Sequence, residues 1–106
     1  MGGEGQPQTQ AALLTRRLFR RLGPQAAVEA PRWLYGRTWG TASRALSLVG
    51  RYPGALARDL EGRGHEVAIG GEWDDLFGHA HCIWLDPDGG LVGGSDPRAD
   101  GAALGY

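Results

Sequence analysis

A chain of 106 residues, 42 % of them apolar, is one domain at most; it can bury a modest core, and its composition argues against disorder. A net charge of −1 provides no overall field to draw it to nucleic acid or anionic lipid. The single Cys82 excludes an internal disulfide, and no apolar run approaches the roughly 18 residues of a membrane span.

Residues 1–8 are rich in Gly, Gln and Pro and read as a loop without the basic and apolar regions of a signal peptide. The spacing of Ala11, Leu14, Leu18 and Leu22 predicts an amphipathic helix over 8–22, with Arg16, Arg17, Arg20 and Arg21 away from the apolar stripe and Gly23-Pro24 as its stop. Gln25 to Ala30 reads as a short helical turn limited by Pro31, because the residue before proline avoids the helical region. Extended chain is expected over 31–35, a loop over 36–43 and a strand over 44–49. Pro53 opens another helix that closes near 62–64, followed by a strand over 65–69 and a loop over 72–77. His79 to Leu85 is the best strand, and Asp86-Pro87-Asp88-Gly89-Gly90 is a turn that sends Leu91 to Gly94 back as its hairpin partner. Ser95 to Tyr106 is a tail rich in Gly and Ala. The fold class read from this order is α+β, in one domain spanning 1–106.

Two segments are more specific than this pattern. Met1-Gly2-Gly3-Glu4-Gly5-Gln6-Pro7-Gln8 resembles the Gly-Gly loop of γ-glutamyltransferases, and Gly93-Gly94-Ser95-Asp96-Pro97-Arg98, with the tail to Tyr106, resembles that family's C-terminal signature. Weaker similarities lie between them, in order, at Ala27 to Trp33, Leu60 to Val67 and Gly78 to Ile83. The resemblance implies part of an N-terminal-nucleophile hydrolase, an αββα sandwich of two sheets between helical layers. It implies the C-terminal portion of the light-chain domain of a precursor that cuts itself and exposes an N-terminal Thr. That Thr attacks γ-glutamyl amides such as glutathione and passes the γ-glutamyl group to an amino acid, a peptide or water. The expected partners are the rest of that precursor and the γ-glutamyl compound; no cofactor, nucleic acid or membrane span is expected.

By the same resemblance Gly2 and Gly3 supply backbone N–H groups to the tetrahedral oxyanion, a role suited to residues with no side chain to block approach. None of Thr9, Thr15, Thr38 and Thr41 stands in the sequence context of the nucleophile, so the chain alone is expected to be inactive. A non-catalytic stand-alone interaction module derived from the family is the alternative. Asp96 and Arg98 read as a turn that bonds its own backbone and pins the tail by a bidentate pair rather than as a charge relay. Asp86 and Asp88 read as a solvated turn. His79, His81 and Cys82 could ligate zinc, with His79 and His81 on one face of a strand, but they lack the four ligands of a structural site. The four helix arginines read as a solvated face or a subunit contact, and Trp33, Trp39, Trp73 and Trp84 as core or interface.

Overall fold

The computed structural model describes residues 3–37, 40 and 42–106. Met1, Gly2, Thr38, Trp39 and Thr41 lie outside the described residues. Four α or β elements come first: helix α1 (Gln6–Arg20), helix α2 (Pro24–Glu29), strand β1 (Trp33–Tyr35) and strand β2 (Leu46–Leu48). Helix α3 (Gly54–Gly62), strand β3 (Val67–Ile69), a single 3₁₀ turn (Asp75–Phe77), and strands β4 (Cys82–Leu85) and β5 (Leu91–Gly94) complete the chain.

α1 is displaced by two residues from the expected span at both ends. Pro7 occupies the first turn, where its missing N–H is not needed, so the helix starts earlier. Arg21 then adopts a left-handed conformation (φ 53°, ψ 31°) and returns its N–H to Arg16 O, ending the helix before Gly23 is reached. The expected orientation also changes. Leu14, Leu18 and Phe19 are 58 %, 67 % and 79 % exposed. The side turned toward α2 and β1 is the one that carries Gln8 and Arg16. Arg16 is therefore part-buried and bonded to backbone, not solvated.

β2 pairs antiparallel with β1 (Trp33↔Leu48, Tyr35↔Leu46) and parallel with β3 (Leu46↔Val67, Leu48↔Ile69), with α3 as the crossover between β2 and β3. Parallel neighbours need such a connection, whereas the antiparallel hairpin β4–β5 needs only its turn. That turn forms as expected: Asp86 N–H bonds Gly90 O at 2.8 Å and Gly89 N–H bonds Asp86 O at 2.9 Å. The strand expected over 79–85 is confined to 82–85 because the Ala80 N–H is given to the Asp96 carboxylate (2.8 Å) rather than to a neighbouring strand. The loop expected over 72–77 contains the 3₁₀ turn, capped by Asp74, whose Oδ1 accepts from Leu76 N–H at 2.9 Å.

The core is small. Leu34, Val49 and Phe77 form its centre, with Tyr52 and Leu76 packed against it. Ala27, Val28, Leu48 and Ala80 are also buried. α2 packs on the hairpin at Gly94, where an added Cβ would stand 2.7 Å from the Pro24 carbonyl carbon. Backbone cannot yield as a side chain can, so Gly94→Ala is expected to lower stability by about 1–3 kcal/mol. Gly90→Ala, with nothing within 4 Å of the new carbon, is its control. Thermal unfolding of the two variants, followed by near-UV circular dichroism, checks this; equal midpoints would contradict it.

Candidate functional site

The segment before α1 is built as a strap. Gly3 has φ +88°, a conformation that costs glycine little, and its carbonyl accepts the Gln6 N–H at 3.1 Å. Gly5 lies against Leu34, whose Cδ2 would be 3.4 Å from an added Cβ. The Gln8 side chain bonds one residue twice: its Nε2 donates to Tyr35 O at 3.0 Å and its Oε1 accepts from Tyr35 N–H at 2.7 Å. Glu4 pairs with Arg37 (3.1 Å) in the open, a contact worth about 0–1 kcal/mol. Gly3 is thus held at the end of β1; its expected companion Gly2 lies outside the described residues.

Asp96 is buried to 1 % exposure and is fully engaged. Oδ2 receives Arg32 Nη2 at 2.5 Å and Ala80 N–H at 2.8 Å; Oδ1 receives Arg98 N–H at 3.1 Å and Arg98 Nη1 at 3.0 Å. The expected backbone turn and tail pin are present. The expected bidentate pairing is not, because Oδ2 is taken by Arg32 and Ala80 and Arg98 bonds Oδ1 alone. Burial by itself would raise this carboxyl; the Ala80 and Arg98 N–H groups and the Arg32 guanidinium outweigh it and hold it below the usual value of 3.8. Arg32 continues to Val28 O (3.0 Å), Phe77 O (3.2 Å) and Gly78 O (2.6 Å). Burial lowers its guanidinium, but from so high a start that the group stays charged.

The other arginines finish α2. A six-residue helix leaves its last carbonyls without intrahelical partners, and cations suit that end. Arg16 reaches Ala27 O at 2.8 Å and also Pro31 O, Arg51 reaches Glu29 O at 2.5 Å, and the Tyr52 hydroxyl donates to Pro31 O at 2.8 Å. The Trp73 ring is near the guanidiniums of Arg51 (3.9 Å) and Arg98 (5.1 Å), and Arg17 covers Trp84 at 4.7 Å. Among the described residues the Nε and Nη2 of Arg98 have no hydrogen-bond partner, and the Trp73 ring adds an attraction to the one its Nη1 makes with Asp96.

The remaining candidates are not brought together. Thr9 and Thr15 lie within α1, and Asp86 and Asp88 lie in the hairpin turn. His79 and His81 precede β4, so they do not share a strand face as expected. His81 Nδ1 is 3.3 Å from Ser95 Oγ, while the Cys82 thiol is turned to Pro24 O at 3.8 Å. Burial raises that thiol, which disfavours a thiolate. Among the described residues no cluster of three or more His, Cys, Asp or Glu could hold a metal ion, and no helix is long and apolar enough to cross a membrane. Sequence reasoning missed Gln8, Arg32 and Arg51. Arg32 carried a signal in the Ala-Pro-Arg-Trp similarity; the partners of Gln8 and Arg51 depend on the folded chain.

The family profile described as gamma-glutamyltranspeptidase matches residues 1–106. The chain belongs to the gamma-glutamyltranspeptidase family. It is 48 % identical to the glutathione hydrolase-like YwrD proenzyme of Bacillus subtilis over 104 residues, 98 % of this chain and 20 % of that one. It is 47 % identical to the oxamate amidohydrolase proenzyme of Klebsiella pneumoniae over 106 residues, all of this chain and 20 % of the relative. The crystal structure of cephalosporin acylase from Bacillus halodurans superimposes with a TM-score of 0.81 at 34 % identity, covering 100 % of this chain and 19 % of the acylase. The chain thus has the α+β fold of N-terminal-nucleophile hydrolases and spans about a fifth of the length of the curated relatives it matches.

Asp96→Asn leaves two buried guanidiniums without their anion and is expected to destabilise the chain by about 3–5 kcal/mol at neutral pH. Because the folded carboxyl lies below 3.8, its contribution is complete above about pH 4 and is lost as pH falls through the folded value. Urea unfolding by tryptophan fluorescence between pH 7 and pH 3 reads both effects. The variant should lack the part of the acid-limb decline that Asp96 causes.

Proposed function

We propose that this chain is the C-terminal portion of the light-chain domain of a γ-glutamyltransferase that cleaves γ-glutamyl amides such as glutathione. In this reading an N-terminal Thr of the mature light chain, upstream of these residues, attacks the amide carbonyl with its own α-amino group as base. The C–N bond breaks, the amine leaves with a proton, and the γ-glutamyl ester passes to an amino acid, a peptide or water. The N–H groups of Gly2 and Gly3 face the oxyanion of the tetrahedral intermediate, where loss of a single such donor costs about 3 kcal/mol. The observation that carries this reading is the family match over the whole chain together with Gly3, strapped to β1 at positive φ. Alone, the chain lacks the nucleophile and is inactive; it works with the heavy chain and the start of the light chain.

The exposed apolar surface supports this partnership. Leu14, Leu18 and Phe19 on α1, with Ile83, Leu85 and Leu91 on the hairpin, are all more than half exposed. A self-sufficient domain rarely leaves so many large apolar residues bare. A second reading has its own support: the relative named oxamate amidohydrolase favours a small non-glutamyl amide as substrate.

The test is to express the chain joined to its upstream coding region and to follow self-cleavage, then hydrolysis of γ-glutamyl-p-nitroanilide, glutathione and oxamate. Self-cleavage and glutamate release from glutathione are expected. Turnover of oxamate without turnover of the γ-glutamyl compounds would select the second reading. Glutamate release by the 106-residue chain alone would refute the placement of the nucleophile outside it.

A further inference from the structure

Among the described residues β1 has a neighbour strand on one side only, so it is an edge strand of this sheet. Antiparallel pairing turns alternate residues toward the partner. Arg32 O accepts from Val49 N–H, and Gly36 N–H bonds Ala45 O, so the residues flanking Tyr35 at this spacing face β2. The Tyr35 N–H and C=O consequently point to the open edge, and the Gln8 amide takes both. One carboxamide, donor and acceptor in a plane, stands in for the next strand at a single position. Such a contact fixes direction as well as distance, which a single hydrogen bond does not.

From Gln8 to Gly3 the path is five residues, held by the Gln6 N–H to Gly3 O bond, by the Thr9 N–H to Gly5 O bond at 3.0 Å and by the contact of Gly5 with Leu34. The Glu4–Arg37 pair is exposed and adds little. The apolar stripe of α1 is exposed and does not hold the helix to β1 either. We propose that Gln8 is a positioning residue, whose amide, paired with the open edge of β1, sets where the backbone N–H of Gly3, the described member of the glycine pair, stands. This rests on the reading of those glycines as oxyanion donors, and it adds what aims them. Donor placement within about half an ångström separates a productive oxyanion site from a slack one.

The test compares Gln8→Glu with Gln8→Met. The first keeps size and acceptor but has no donor for Tyr35 O at neutral pH; the second keeps length and loses both bonds. Amide hydrogen exchange on the chain joined to its upstream region should show the Gln6 amide exchanging about tenfold faster in both variants, and the Tyr35 amide faster in the Met variant. The Gly70 amide, bonded to Leu48 O, should keep its wild-type rate. An unchanged Gln6 amide overturns the proposal. Faster exchange throughout the sheet also overturns it, because Gln8 would then serve global stability.

In the chain joined to its upstream region, Gln8→Glu should lower kcat about tenfold while KM moves less than about threefold, since donors aimed at the oxyanion act on the transition state. An unchanged kcat overturns the proposal. If the unmutated joined protein cleaves no γ-glutamyl amide, the functional reading falls instead, and the exchange rates alone decide whether Gln8 tethers the loop.

Discussion

Three segments far apart in sequence meet at one carboxylate. Asp96 ties the tail, through Arg98, to the turn after α2, through Arg32, and to the approach to β4, through Ala80. Because Arg32 also holds the Phe77 and Gly78 carbonyls, the same junction fixes the 3₁₀ turn that places Phe77 in the core. A core of so few side chains leaves much of the positioning to polar groups. Buried, a carboxylate and guanidinium are tolerable only when their hydrogen bonds are nearly complete. Asp96 meets that condition; Arg98 meets it in part, with Trp73 beside its unbonded face.

The junction and the strap lie at opposite ends of β1 and serve different purposes. At Arg32 the chain is locked by charge in the interior. At Tyr35 it is held by a neutral amide at an exposed edge. The first supports the body on which the glycine loop sits, and the second sets the loop itself. α1 connects them, since Arg16 binds the turn beside Arg32 while Gln8, two helical turns earlier, binds Tyr35.

Local chemistry was legible in the sequence, and distant pairing was not. The Asp86–Gly90 turn and the hairpin follow from turn residues alone, and the Asp-Pro-Arg turn follows from the reach of an aspartate to its own backbone. The inner face of α1 differs from the expected one because the apolar stripe implied burial, whereas the half-buried side carries Gln8, Ala12, Leu13 and Arg16. The strand expected over 79–85 came out short because Ala80 gives its N–H to a carboxylate sixteen residues away, which no periodicity records. Arg32 and Asp96 are 64 residues apart, so nothing in the local pattern foretold their contact. The family resemblance was legible because it depends on motifs at both ends of the chain, and it holds over all of residues 1–106.

All 11 basic residues are arginine, and at several positions the choice is structural. Arg16 spans two carbonyls, and Arg32 spans three carbonyls and a carboxylate. Arg51 and Arg98 both bring guanidinium cations to the Trp73 ring. A lysine ammonium is a compact point with no fork and no plane, and could meet these demands one at a time but not together. Drift toward an AT-rich genome could therefore recode the exposed arginines while these four codons stayed fixed, leaving a trace of the buried network in the nucleotide sequence.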